Sequence, residues 1–164
     1  MAELLLPHAA RNPQGRALAD DYGETSWAEF QDRTNRLIHV LRAAGIVPGD
    51  RVAVHSGNRR EVYEVAMACL HAGFSVVQTN WNYKADELAF VLTDSDARVL
   101  IVDDQYADVA DEAVREAKDV QMMLGLRSGG HSNGTFATYE RALASAPSDE
   151  PVNQVGGADA SARS

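Results

Sequence analysis

The sequence has 164 residues, 45% of them apolar, with 15 basic and 24 acidic side chains and a formal net charge of −9. This composition is typical of a globular domain, excludes collagen-like and wholly disordered chains, and gives no electrostatic reason to bind nucleic acid. The apolar runs are too short for a transmembrane helix, and no signal peptide is recognisable. The only cysteine is Cys69, so no disulfide can form within the chain. We therefore expect a cytoplasmic protein.

Strand and helix patterns alternate along most of the chain. Residues 1–24 are interpreted as an N-terminal segment, after which a capping-box pattern at Ser26 and Glu29 predicts a helix that Gly45 ends. After this helix, short apolar runs typical of strands alternate with amphipathic stretches typical of helices. The predicted strands are Arg51–His55, Phe74–Thr79, Arg98–Val102 and Val120–Gly125, and the predicted helices are Arg59–Ala72, Ala85–Thr93, Ala107–Lys118 and Thr138–Ala146.

This alternation is typical of βαβ units and predicts an α/β fold, with a parallel sheet flanked by helices. Phe74, Val76 and Val77 make the predicted Phe74–Thr79 strand an apolar run, from which we predict that both of its faces are covered. Residues 147–164 contain no aromatic residue and many small or polar ones, so a flexible tail or linker is expected there.

Two stretches that could bind phosphate lack the residues of known phosphate loops. The loop after the first strand has one glycine and neither GxGxxG nor GxxxxGK[ST], so Arg59 and Arg60 are expected to be solvated at a helix start. The glycine-rich stretch Ser128–Thr135 has no lysine and opens no long helix. We interpret it as a surface turn.

The sequence predicts neither a metal site nor a catalytic residue. The five histidines stand too far apart for ligand spacing, and Cys69 lies on the apolar face of a helix. Asp103 and Asp104 end a strand without the additional acids and lysine of a phosphoacceptor, so capping is the better interpretation.

One loop has the composition of a ligand site. Asn80, Trp81, Asn82 and Tyr83 follow the carboxyl end of an apolar strand, where open α/β sheets bind ligands. Two aromatic side chains among two amides suit a small organic molecule. A purely structural loop remains the alternative.

Several stretches follow one another in a characteristic order between about residues 8 and 146. They are Thr25–Phe30, Asn35–Leu37, Leu41–Ile46, Pro48–Val54, Asn58 with Glu61, His71–Gly73, Asn80–Asn82, Glu87-Leu88 and Asp94–Ile101. Taken together, these stretches resemble the N-terminal region of adenylate-forming enzymes, the acyl-CoA synthetase and luciferase superfamily. The Asn80-Trp81 pair is most similar to bacterial fatty acyl-CoA synthetases. Residues 25–146 would then be part of the N-terminal subdomain of the family's large domain.

The resemblance implies a two-step ligase that uses ATP, Mg²⁺ and CoA to convert a fatty acid or other carboxylate first to an acyl-adenylate and then to a thioester. It also implies a channel for substrate or CoA at Asn80–Tyr83. The family's phosphate-binding loop and catalytic lysine lie beyond the matched region, so no catalytic residue is transferred to this chain. We therefore expect a truncated product or fragment, inactive alone, that binds none of these cofactors tightly.

Two structural expectations follow from the same resemblance. A partial scaffold leaves an exposed sheet edge, which favours self-association. The family commonly has Thr or Ser where Lys84 stands, so the next helix is expected to be capped by Asn82 or by backbone groups. The competing hypothesis is a stand-alone flavodoxin-like α/β binding or regulatory module without catalysis.

Overall fold

The computed structural model describes residues 6–126 and 137–152, which form two compact units. The glycine-rich stretch at Ser128–Thr135 lies outside the described residues. The first unit is built from the described parts of Met1–Gly49, Asn58–Phe74 and Leu143–Ser164, and the second from those of Asp50–Gly57 and Ser75–Ala142.

Among its described residues, the first unit contains three complete helices and a hairpin. The helices are α1 (Leu6–Arg11), α2 (Trp27–Ala43) and α3 (Arg60–Ala72). An antiparallel hairpin of β1 (Arg16–Asp20) and β2 (Gly23–Ser26) precedes α2. The sequence patterns did not predict this hairpin.

Helix α2 begins and ends where the sequence predicts. The Ser26 hydroxyl accepts a hydrogen bond from the Glu29 N–H over 3.2 Å, which satisfies one of the free donors of the first turn. Gly45, just past the end, has a φ of 84°, a conformation that L side chains rarely adopt. The buried face of α2 includes Phe30, Leu37, Ile38 and Leu41, at the spacing of one helical stripe.

The second unit is a five-stranded parallel sheet with helices. The predicted strands and helices are confirmed, each within two residues at either end. The strands are β3 (Arg51–His55), β4 (Ser75–Gln78), β5 (Ala97–Asp103), β6 (Met122–Leu126) and β7 (Ala137–Thr138). They lie in the order β4-β3-β5-β6-β7, and each pair of neighbours is parallel. The helices are α4 (Ala85–Asp94), α5 (Ala107–Glu116) and α6 (Tyr139–Ala144), and the last two residues of α6 belong to the first unit.

The core of this unit lies between the sheet and the α4–α5 pair. Six of the seven β5 residues are buried, because β5 pairs with β3 on one side and β6 on the other. Apolar residues from the strands and both helices form one cluster. Its fully buried members include Ala53, Leu88, Leu92, Leu100, Val102 and Ala110.

Strand β4 corrects one expectation. The sequence predicts that its apolar residues are covered on both faces, but among the described strands β4 is an edge strand. Val77 packs against the core cluster, whereas Val76 is 41% exposed and Ser75 and Gln78 are also exposed. A short apolar run does not distinguish a central strand from an edge strand, and this caused the error.

The strand order creates a topological switch. The chain leaves β3 toward β4 on one side, and it leaves β5 toward β6 on the other. In open α/β sheets, ligands bind outside the carboxyl ends of the strands at such a point. His55 ends β3 and Asp103 ends β5, so these residues mark the switch.

None of the helices within the described ranges combines the length and apolarity that crossing a membrane requires.

Candidate functional site

A buried histidine lies at the carboxyl end of β3. His55 is 0% exposed, and its Nδ1 lies 2.8 Å from Oγ1 of Thr79, which follows β4. The Thr79 hydroxyl donates its own proton to the Val54 carbonyl oxygen over 2.9 Å. Because that proton is used, Thr79 Oγ1 must accept from His55, and Nδ1 therefore carries the ring proton of the neutral imidazole.

The other ring nitrogen of His55 is a buried acceptor. Burial lowers the pKa of His55, because removal from water disfavours the imidazolium. The neutral ring thus leaves a lone pair on Nε2. No atom in the described part of the chain forms a hydrogen bond with it. A buried polar atom without a partner is costly, so this position calls for a donor from outside the described residues.

Two aromatic rings connect His55 to the surface. The Tyr106 ring meets the imidazole edge-on, with centroids 5.2 Å apart and an interplanar angle of 68°. Tyr106 also lies against Trp81, with centroids 6.3 Å apart. Trp81 is 50% exposed. We call His55, Thr79, Trp81 and Tyr106 the strand-end cluster.

Asp103 caps the short helical turn that carries Tyr106. The Asp103 carboxylate accepts hydrogen bonds from the N–H and the side-chain amide of Gln105, at 3.4 and 3.1 Å. This confirms the predicted capping role of Asp103. Asp103 and Asp104 are both buried. Through its bonds to Gln105, Asp103 helps to position the turn that carries the Tyr106 ring.

The predicted ligand loop is a tight turn whose two aromatic residues diverge. Asn80 Oδ1 accepts from the Asn82 N–H, and the Asn80 carbonyl oxygen accepts from the Tyr83 N–H, both over 3.0 Å. Trp81 joins the strand-end cluster, but Tyr83 packs against the core cluster. Tyr83 also lines a separate shallow groove of about 420 Å³ with residues of α4, which are Asp86, Glu87, Phe90 and Val91.

The cap of α4 corrects one part of a second expectation, which was a cap by Asn82 or by backbone groups. The Glu87 carboxylate accepts a hydrogen bond from the Lys84 N–H over 2.9 Å. Asn82 is exposed and donates its backbone N–H within the preceding turn. The Glu87 carboxylate thus supplies one of the two bonds of a capping box, the one to the backbone N–H of the residue before the helix.

The structure corrects a third expectation, that Arg59 is solvated at the start of a helix. Its side chain is buried, lies 3.1 Å from the Glu61 carboxylate and stacks over the Tyr22 ring at 4.3 Å. The Arg60 N–H donates to the Asp20 carboxylate over 2.9 Å. The Arg59 guanidinium is thus committed to an internal ion pair.

Metal-binding and thiol chemistry find no support in the described residues. Over 6–126 and 137–152, no group of three His, Cys, Asp or Glu side chains is placed to hold a metal ion. Cys69 is buried, and this burial raises the pKa of its thiol to about 12. The thiol is therefore protonated at neutral pH and unreactive.

His55 is not among the predicted site residues, because no other histidine stands at metal-ligand spacing from it in the sequence. The available signal was different: a polar residue ends the otherwise buried strand Arg51–His55 at its carboxyl end. Such a residue lies where ligands of parallel sheets bind. Its hydrogen bond with Thr79 joins positions 24 residues apart, which spacing alone does not reveal.

Comparison with known proteins gives a consistent result. The family described as AMP-binding enzyme matches residues 6–159. A 3-oxocholest-4-en-26-oate–CoA ligase of Rhodococcus rhodochrous is 35% identical over 127 residues, 77% of this chain and 22% of the relative. The fatty acid–[acyl-carrier-protein] ligase ScoC of Streptomyces coeruleorubidus is 30% identical over 118 residues, 72% of this chain and 23% of the relative.

A solved structure shares the fold. A fatty acyl CoA synthetase of Mycobacterium tuberculosis superposes with a TM-score of 0.81 and 28% identity, over 96% of this chain and 30% of that one. The regions aligned with the Rhodococcus and Streptomyces ligases make up 22% and 23% of those two proteins, so this chain spans less than a quarter of their length. Activities of whole relatives therefore involve much sequence that this chain does not contain.

Proposed function

The chain belongs to the AMP-binding enzyme family, and we propose that it forms part of an ATP-dependent ligase that joins a carboxylic acid to a thiol. In this reaction the carboxylate attacks the α-phosphate of ATP to give an acyl-adenylate and pyrophosphate, and the thiol then displaces AMP to form a thioester. The observation that carries the proposal is the family match over residues 6–159. The strand order resembles that of flavodoxin-like proteins, so the sheet alone does not favour a ligase over a binding module.

We propose a fatty acid or another largely apolar carboxylic acid as the substrate and CoA as the thiol. The relatives support this class, since one is named for a steroid acid and CoA, and another for a fatty acid and acyl carrier protein. A cytoplasmic location, where ATP and CoA are available, is part of the same proposal.

The described residues do not fit Mg·ATP. No acidic group of three is placed for a metal ion among them, and the Arg59 guanidinium is held by Glu61. We therefore assign no step of the reaction to these residues and propose that the isolated chain neither binds ATP tightly nor turns over.

In the whole ligase, we propose that the loop Asn80–Tyr83 lines the channel for substrate or CoA. The support is the half-exposed Trp81 at the carboxyl end of the sheet. Tyr83 contributes less, because it packs toward α4.

The first test is ATP–pyrophosphate exchange by the isolated chain with fatty and aromatic acids. We expect no exchange above background. Robust exchange would show that the chain is a complete catalyst and would overturn the proposed inactivity.

A chimera tests the ligase assignment itself. Residues 6–152 would replace the matching segment of the Rhodococcus ligase, and adenylate formation would be measured. We expect exchange above that of a control chimera carrying an unrelated flavodoxin-like domain. A folded but inactive chimera would contradict the proposal.

We also propose that the isolated chain self-associates with a second copy through β4. The Thr79 N–H bonds to Val54 of β3 and the Ser75 N–H bonds to Asp50, the residue before β3. By alternation, the backbone groups of Val76 and Gln78 point away from β3. No Lys, Pro or bulge protects this edge. Light scattering should show concentration-dependent oligomers that Val76→Lys disperses, and a monomer at all concentrations would contradict the proposal.

A further inference from the structure

We propose that the strand-end cluster is a binding subsite for a small organic molecule with an apolar body and an uncharged hydrogen-bond donor, a hydroxyl or an amide N–H. His55 Nε2 accepts from that donor, and Tyr106 and Trp81 contact the apolar body. This inference shares one assumption with the proposed function, which is that the loop containing Trp81 lines a ligand channel.

The hydrogen bonds around His55 define which chemical groups can bind. Thr79 accepts the Nδ1 proton and is prevented from donating, because its own proton goes to the Val54 carbonyl oxygen. Nε2 can therefore only accept. An ionised carboxylate offers only lone pairs at neutral pH, so it would leave Nε2 unsatisfied and add repulsion. A hydroxyl or an amide satisfies it.

The location of His55 favours a ligand site over a packing role. His55 ends β3 and pairs in register with Val102 of β5, so it lies at the switch between the two strands. Its imidazole is 0% exposed, and its Nε2 finds no partner anywhere in the described ranges. A residue that served packing alone would be expected to have its polar atoms satisfied.

The aromatic rings provide the apolar part of the subsite and a way in. Tyr106 contacts the imidazole, and Trp81 contacts Tyr106, so the rings form a continuous series from the buried imidazole to a half-exposed indole. Tyr106 is itself only partly buried, on a three-residue helical turn. A molecule that parts these rings gains aromatic contacts and reaches Nε2.

The test uses the whole chain and three matched probes: benzamide, benzyl alcohol and benzoate. These share one ring and differ in the polar group. Long-range ¹H–¹⁵N spectra report the histidine nitrogens, and loss of signals in His55→Phe assigns those of His55. We expect a Nδ1–H tautomer, saturable shifts of the Nε2 signal with benzamide and benzyl alcohol, and affinity for benzoate lower by about tenfold at pH 8.

Variants separate recognition from packing. His55→Phe should abolish the preference for benzamide over benzoate. Should that variant misfold, Thr79→Val provides a second measurement. It removes the hydroxyl that accepts the Nδ1 proton of His55, so the proton can move to Nε2 and benzamide binding should weaken. Thr79→Ser keeps the hydroxyl and should bind benzamide like the wild type. Equal affinity for all three probes, no shift of Nε2, or a single bound water that no probe displaces would overturn the inference. None of these measurements involves ATP, so the subsite and the proposed ligase can fail separately.

Discussion

Arg33 of α2 and Glu64 of α3 form an ion pair within the first unit, with Nε and Oε1 2.7 Å apart. The Glu64 side chain is fully buried and that of Arg33 is 16% exposed. Burial of two charges costs solvation energy that their attraction offsets only while both are present. The pair therefore fixes how the two helices pack without being a large net source of stability.

Arg33→Met should be strongly destabilising, because it removes the guanidinium that pairs with the buried Glu64 carboxylate. We expect a loss of about 3–5 kcal/mol in the free energy of unfolding, measured with urea. The double variant Arg33→Met/Glu64→Gln should recover part of this loss. Arg16→Met, which breaks an exposed pair with Glu24, is the control and should leave the midpoint unchanged. Equal effects of the two single variants would contradict the assignment.

The fold could be predicted from local patterns, and the candidate site could be predicted only in part. Amphipathic spacing and glycine signals located α2 and the βαβ units, because these depend on neighbouring residues. The exposure of β4 and the pairing of His55 with Thr79 depend on which strands are adjacent, and a single sequence does not contain that information. Arg59 was misjudged for the same reason, since its contact with Tyr22 joins residues far apart in sequence.

Acid should weaken the fold through His55. Burial lowers the pKa of His55 below its reference value of 6.5, so the unfolded chain takes up a proton at a higher pH than the folded one. The contribution of His55 is complete above pH 6.5 and declines as the pH falls from there toward the folded-state pKa.

Urea midpoints between pH 8 and pH 5 test this dependence. We expect the wild-type midpoint to fall with pH and the slope to be reduced in His55→Gln. A slope that survives the loss of His55 would show that other groups cause the acid sensitivity.

Cys69 should resist modification in the folded chain. Its thiol is buried, with the pKa raised to about 12, so almost no thiolate exists at pH 8. We expect Ellman's reagent to label it only after urea is added. An Ala10→Cys variant, with a thiol on an exposed position of α1, should react at once without urea. Rapid labelling of the native wild-type chain would contradict the burial of Cys69.

One face of α2 holds the end of the described chain. The Arg36 guanidinium donates to the Ala146 carbonyl oxygen over 2.6 Å, and that of Arg42 to the Val152 carbonyl oxygen over 2.7 Å. The Asn35 amide donates to the Ser148 carbonyl oxygen over 3.2 Å. These contacts give a physical role to the Asn35-Arg36 pair, which the sequence analysis singled out only for its resemblance to a family.

Arg36→Met should release residues 146–152 from α2 while the core stays folded. A charged donor to a backbone oxygen contributes about 1.5–3 kcal/mol, so the open form of this segment should become about 10–100-fold more populated. Limited proteolysis should then cut within 146–152 faster by a similar factor, with an unchanged urea midpoint for the rest of the chain. Asp32→Asn is the matched control, because it removes the ion pair of Arg36 with Asp32 but keeps the bond to Ala146. If both variants were cut at the wild-type rate, the Arg36–Ala146 bond would not hold the segment, and the contacts of Asn35 and Arg42 would have to be sufficient.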